Sequence, residues 1–152
     1  MSIVNTTPDS FYDGGKYNTI EKALQKVELD ISNNTTFIDV GGYSSKPNAN
    51  HVTEEEELKR TIPTIEAILN SFPKAVISID TFRGKVAKEA IEAGAAMIND
   101  ISAFELDKEM INTLSTYKVP YVLMHMQGTP QNMQENPCLL YTSDAADDLV
   151  CV

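Results

Sequence analysis

Ala75-Val-Ile-Ser-Ile-Asp-Thr-Phe-Arg-Gly-Lys-Val-Ala-Lys-Glu-Ala-Ile-Glu-Ala-Gly-Ala-Ala-Met-Ile-Asn-Asp100 decides the fold. Ala75 to Asp80 is a nearly unbroken apolar run that stops at a carboxylate. Val86, Ala87, Ala90 and Ile91 then fall at helical spacing, and Gly94 suits the residue just past a helix end. Ala96 to Asn99 is apolar again and also stops at a polar side chain. Strand, helix, strand in so few residues is a βαβ unit, and runs this apolar fit a parallel sheet buried on both faces.

The same alternation extends in both directions. Upstream, Ile3-Val4 opens the chain as a strand, a helix spans 19–33, and Phe37 to Val40 forms the next strand, closed by Gly41-Gly42. Thr53-Glu-Glu-Glu56 is a capping box that opens a helix running to about Phe72. Its predicted stripe is Leu58, Ile62, Ile65 and Leu69, and Pro63 is expected to bend it. Downstream, a short helix from about Asp107 to Tyr117 leads into a strand over 121–126. The order β-α-β-α-β-α-β-α-β suits a doubly wound sheet or a closed barrel. The first strand-to-helix turn has no G-x-G-x-x-G, so the dinucleotide-binding version lacks its signature.

One pattern favours the barrel. The strands end on Asn5, Asp39, Asp80, Asn99 with Asp100, and His125. In a (β/α)8 barrel such ends converge on one mouth, where active sites sit. A closed barrel takes about 250 residues and eight strands. The 152 residues here supply five, so the expected architecture is α/β, a partial TIM barrel of about the first five parallel strands. Residues 1–137 are expected to form that domain. Residues 138–152 hold both cysteines, Cys138 and Cys151, and show no clear period. They are expected to be a non-native or disordered tail, with a helix from Ser143 as the alternative.

Bulk properties exclude some functions. The formal net charge of −10 argues against a nucleic-acid binder, which needs Lys and Arg to neutralise phosphates, and against an anionic membrane surface. No apolar stretch approaches the ~20 residues needed to cross a bilayer. The opening residues have neither the basic nor the long apolar part of a signal peptide. Two cysteines near one end give no disulfide framework, so a cytoplasmic location is the default expectation.

Three segments carry candidate chemistry. Asn5-Thr-Thr-Pro-Asp-Ser-Phe-Tyr-Asp-Gly-Gly15 mixes acids, hydroxyls and Phe11 in a loop that suits a lid, or a plain surface connection. In Asp39-Val-Gly-Gly-Tyr-Ser-Ser-Lys-Pro47, the glycines allow close backbone approach, and Ser44, Ser45 and Lys46 could bind an anion; a simple turn is equally open. Asp80 and Asn99 are the sharpest pair. A ring with an amino-amidine edge offers two donors to a carboxylate, and Asn supplies a donor and an acceptor beside it. The alternative is that Asp80 caps the helix that follows. His125 reads as a core residue and His51 as a solvated one. There is no zinc cluster and no serine nucleophile elbow.

Together these segments resemble the dihydropteroate synthase family. Asn5–Gly15 is similar to its first signature loop and Phe37–Pro47 to its second. Ile79-Asp-Thr81, Ile98-Asn-Asp-Ile101 and Leu123-Met-His-Met-Gln-Gly-Thr-Pro130 follow in the family's order. The resemblance implies an enzyme that joins 4-aminobenzoate to a dihydropterin methyl diphosphate and releases diphosphate. It implies that Asn5 is a magnesium-linked residue and that Ser45, Asp80, Asn99, Asp39 and Met124 bind substrate. Asp9, Phe11 and Lys46 fall in the catalytic set, the first two on the lid near the aminobenzoate. Lys46 departs from the family's usual Arg and loses the planar fork, which implies weaker anion contact. Tyr43 departs from a commoner acid. The family's later Asp-Pro-Gly, Ser-Arg-Lys and Arg-x-His segments do not occur, so this chain alone is expected to be inactive. The implied partners are small-molecule substrates, with a homodimer when complete. Two other readings stay open: a pterin-binding methyltransferase barrel, which would lack the Thr-Pro-Asp-Ser-Phe loop, and a non-catalytic partial barrel.

Overall fold

The structure is a computed structural model. It describes residues 1–6, 16–43 and 51–124, with only the backbone of residues 16–19. The proposed tail of 138–152 lies outside the described residues. The elements are β1 (Ser2–Asn5), α1 (Lys16–Ser32), β2 (Phe37–Gly41), α2 (Glu54–Ser71), β3 (Val76–Asp80), α3 (Gly84–Glu92), β4 (Met97–Asp100), α4 (Glu109–Tyr117) and β5 (Tyr121–Leu123). Each expected strand and helix is present, with ends shifted by a few residues.

All neighbouring strands pair in parallel, in the spatial order β1-β2-β3-β4-β5. A doubly wound sheet reverses its order at a switch point. This sheet never does, so the winding is that of a barrel: the chain forms the first five strands of a (β/α)8 barrel.

The period of two along each strand sorts its residues onto two faces. Val4, Ile38, Val40, Ile77, Ile79 and Ile98 pack into the helix-covered core and are at most 1% exposed. The other face is the barrel interior. It carries Ile3, Phe37, Val76 and Val122, which are 36% exposed or more, together with Asn5, Asp39, Ser78, Asp80 and Asn99. The expectation of strands apolar on both faces therefore holds only for the outer face. The inner one turns polar toward the carboxyl ends of the strands.

Helix ends follow local chemistry. The Thr53 side chain accepts from Glu56 N–H at 3.3 Å, as a capping box requires. α2 runs on through Pro63. Its buried face is Glu57, Thr61, Thr64, Ile65 and Ile68, turned by about one residue from the predicted stripe. Leu58, Ile62 and Leu69 flank it, half-buried. Gly94 has φ +111° and closes α3: its N–H donates to the Ile91 carbonyl at 2.9 Å, and that of Ala95 to Ala90 at 2.9 Å.

α3 and α4 meet at Gly84. A methyl group there would stand 2.6 Å from the carbonyl carbon of Glu109 and 2.7 Å from the Met110 nitrogen. Both are backbone atoms and cannot turn aside. Gly84→Ala is expected to destabilise the fold by about 1–3 kcal/mol, read as a lowered melting temperature. An unchanged transition would show that α3 and α4 are not held this close.

Candidate active site

Asn5, Gly41, Asp80, Asn99 and Val122 occupy one register row across the carboxyl ends of the five strands. Three of them, Asn5, Asp80 and Asn99, are strand ends that the sequence pattern placed at the mouth. Asp39 is not in this row. It pairs with Ile3 and Ser78, one inward-facing layer deeper, because Val40 and Gly41 still follow it in β2. Asp39 is therefore a floor residue, not a strand end.

Gly41 opens the row. A side chain there would begin 3.3 Å from Oδ2 of Asp80 and 3.7 Å from Oδ1 of Asn5. Its absence lets the Asp80 carboxylate and the Asn5 amide oxygen come close over β2. Asn5 is exposed, Asp80 and Asn99 are half-buried, and Asp39 is 2% exposed.

The electrostatics of the row are those of crowded acids. Burial is the main reason the Asp80 carboxyl is pushed up to about 7, and the charges of Asp39, Glu57 and Asp100 add to it. Among the described residues no cation pairs with Asp80 or Asp39. Burial also raises Asp39, while the nearby Ser78 and Asn99 side chains pull it partly back. Asn99 Nδ2 donates to Asp39 Oδ2 at 3.0 Å. Asp39 Oδ1 and the Ser78 hydroxyl are buried and make no hydrogen bond of normal geometry.

The alternative role for Asp80, capping α3, is not what the structure shows. The α3 entrance is capped from another element: Gly84 N–H donates to Asp107 Oδ2 at 2.8 Å. Asp100 also leaves the group. It faces the outer side and accepts from Ser102 N–H (2.7 Å), the Ser102 hydroxyl (2.9 Å), Phe104 N–H (2.8 Å) and the Tyr121 hydroxyl (2.6 Å). These bonds hold the turn after β4, where Ala103 and Phe104 adopt φ +50° and +57°.

The chain belongs to the pterin-binding enzyme family. The family model described as "Pterin binding enzyme" matches residues 1–150. The chain is 51% identical over 138 residues to the dihydropteroate synthase of Clostridium beijerinckii, covering 90% of this chain and 51% of that protein. It is 43% identical over 150 residues to the mitochondrial folate synthesis bifunctional protein of Pisum sativum, covering 97% of this chain and 29% of the relative. Among solved structures, the Yersinia pestis dihydropteroate synthase with a sulfonamide drug complex superposes with TM-score 0.80 at 42% identity, covering 91% of this chain and 50% of that one. The Xanthomonas albilineans dihydropteroate synthase with 4-aminobenzoic acid gives TM-score 0.78 at 41% identity, covering 84% and 46%. The chain thus spans about half the length or less of the curated relatives it matches.

The row of Asn5, Asp80 and Asn99 brings one carboxylate and two carboxamides together across the strand ends. Met124 stands just past β5, 38% exposed, with its N–H donating to the Asp100 carbonyl at 3.2 Å. Asp9, Phe11, Ser45, Lys46 and His125 lie outside the described residues. Among the described residues no group of three His, Cys, Asp or Glu side chains could hold a metal.

The sequence reading missed a second cluster beside the mouth. Glu57 is fully buried and holds an ion pair with Arg83, while the Thr81 hydroxyl donates to it at 2.7 Å. The guanidinium of Arg83 lies over the rings of Phe82 (4.9 Å) and Tyr43 (5.5 Å), and its Nη2 donates to the Val52 carbonyl at 2.7 Å. Arg60 Nη1 donates to the Gly42 carbonyl at 3.3 Å. Both ends of the β2–α2 connection are thereby fastened to α2 and to the turn after β3. Tyr43, whose departure from an acid had no evident use, packs edge-on to Phe82 (5.1 Å) and His51 (6.1 Å). The available signal was Glu57 itself, which falls on the same helical face as Thr61, Thr64 and Ile68.

Proposed function

We propose that this chain supplies the pterin-holding half of a dihydropteroate synthase. The full activity would condense 4-aminobenzoate with (7,8-dihydropterin-6-yl)methyl diphosphate to give dihydropteroate and diphosphate. One observation carries the reading: a carboxylate and a carboxamide, Asp80 and Asn99, stand side by side in register at the strand ends. An ionised Asp80 accepts two parallel N–H donors from an amino-amidine edge, and Asn99 meets the adjoining ring atom. Relatives named dihydropteroate synthase support the assignment.

The remaining roles belong to this proposal. Asp9 and Phe11 act on the lid near the aminobenzoate, Ser45 and Lys46 contact the substrate through the second loop, and Met124 lines the ring. Mg2+ neutralises the departing diphosphate when bound. Mg2+ keeps most of its waters and takes few protein ligands beside substrate phosphates, so a lone amide oxygen such as Asn5 Oδ1 suits it. The same reading places the protein in the cytoplasm and, when complete, in a homodimer. The resemblance supports both, and among the described residues no helix is long and apolar enough to cross a membrane.

Two measurements test the reading. Titrating a dihydropterin with the 152-residue chain should quench its fluorescence with saturation. A linear, unsaturable response would refute pterin binding. Diphosphate release with both substrates present should stay at background, because the diphosphate-binding cations of the family's later motifs do not occur here. Turnover by this chain would overturn the assignment to the pterin half alone.

A further inference from the structure

Asp39 was expected to touch the substrate, but its place in the sheet suits a different task. It lies one layer below the row of Asn5, Gly41, Asp80 and Asn99 and is 2% exposed. Its Oδ2 accepts from Asn99 Nδ2 at 3.0 Å. An ionised carboxylate can only accept, so the amide beside it must turn its NH2 group toward the floor. The carbonyl oxygen of Asn99 is then left for the mouth. Asp39 Oδ1 has the buried Ser78 hydroxyl beside it, short of normal hydrogen-bond geometry.

We propose that Asp39 is a positioning residue that fixes the Asn99 amide so that its oxygen faces the ring held by Asp80. This rests on the pterin reading given above. The consequence is that three acceptor oxygens stand side by side, two from the Asp80 carboxylate and one from the Asn99 amide. They suit an edge on which an amino group and the adjoining ring nitrogen both carry N–H donors. With an amide free to turn, that match weakens.

The test is Asp39→Asn, nearly the same shape without the obligatory acceptor. Three quantities are read: the melting temperature, the dissociation constant for 2-amino-4-oxopteridine, and the side-chain amide NMR signals of Asn99, assigned by their loss in Asn99→Ser. In the unsubstituted chain, one Asn99 amide proton should be shifted downfield and slow to exchange. In Asp39→Asn, that signature should vanish, pterin affinity should fall about tenfold, and the melting temperature should hold or rise. A lowered melting temperature with affinity unchanged would make Asp39 merely structural and overturn the proposal. If the unsubstituted chain binds no pterin, the reading under Proposed function fails, and the Asn99 signals alone decide the role of Asp39. Absence of the downfield, slowly exchanging proton in the unsubstituted chain overturns the assignment even if the variant does not fold.

Discussion

Asp80→Asn is expected to bind pterin about 10- to 100-fold more weakly than the parent chain, yet to melt at a higher temperature at pH 8. The two effects have one origin. The Asp80 carboxyl is pushed up to about 7 by burial and by the charges of Asp39, Glu57 and Asp100. An acid whose pKa is higher folded than unfolded holds its proton more tightly when folded. Between about 4 and 7 the folded state therefore binds more protons, and stability falls as pH rises through that window. Above 7 the full penalty is present. The shift from 3.8 to about 7 sets an upper bound on the order of 4 kcal/mol, reduced because Asp80 is partly open to water at the mouth. Neutral Asn removes this penalty. At roughly 2–4 °C per kcal/mol for a chain of this size, a rise of about 5 °C is expected at pH 8, shrinking toward zero near pH 4. The loss of binding follows from hydrogen bonds to a charged group, worth about 1.5–3 kcal/mol. In the parent chain, pterin affinity should likewise decline as pH drops below 7. A variant that melts lower at pH 8, or binds as tightly, would contradict this account.

Arg83→Met should be the most destabilising single change in the described residues. It removes the only cation on Glu57 among them and strands a fully buried carboxylate. Breaking such a pair from one side costs about 3–5 kcal/mol, or roughly 10–15 °C in melting temperature. It also frees the Val52 carbonyl and the faces of Tyr43 and Phe82. Glu57→Gln should behave quite differently. Burial holds the Glu57 carboxyl above its ordinary range despite the opposing pull of Thr81 and Arg83. Removing the Glu57 charge should cost less than removing Arg83, because the guanidinium keeps the Val52 carbonyl and the Phe82 and Tyr43 rings, and Glu57→Gln with Arg83→Met should recover much of the Arg83→Met loss. Thermal melts of the three variants decide it. A loss below about 1 kcal/mol for Arg83→Met would mean that the pair contributes no more than a surface one.

How much of this is legible in the sequence depends on how far apart the partners stand. The helix over Glu54–Ser71 is legible because its cap is written three residues apart, Thr53 to Glu56. The end of α3 is legible because Gly94 must take a left-handed turn. Asp80 and Asn99 stand out because each closes an apolar run. Asp39 closes one too, but whether a residue ends a strand or sits a layer lower depends on where pairing stops, and that is set by the neighbouring strands. Asp107 capping α3 across 23 residues, and Arg83 reaching Glu57 across 26, belong to packing alone. No local pattern marks them. The lid and second-loop residues were legible only through the family's motifs, since their composition suits an ordinary loop equally well.

The unbroken order β1-β2-β3-β4-β5 also bears on how the sheet assembles. Each strand finds its partner in the segment synthesised just before it, one helix away. No strand waits for a distant one, so loop closure stays short at every step and the sheet can grow from one end as the chain emerges. The price of such growth is a graded product. β3 has two strands on either side, whereas β1 and β5 each have a neighbour on only one side among the described residues. Amide hydrogen exchange in the 152-residue chain should therefore be slowest in β3 and fastest in β1 and β5. Uniform protection across the five strands would show that the sheet opens as one body instead.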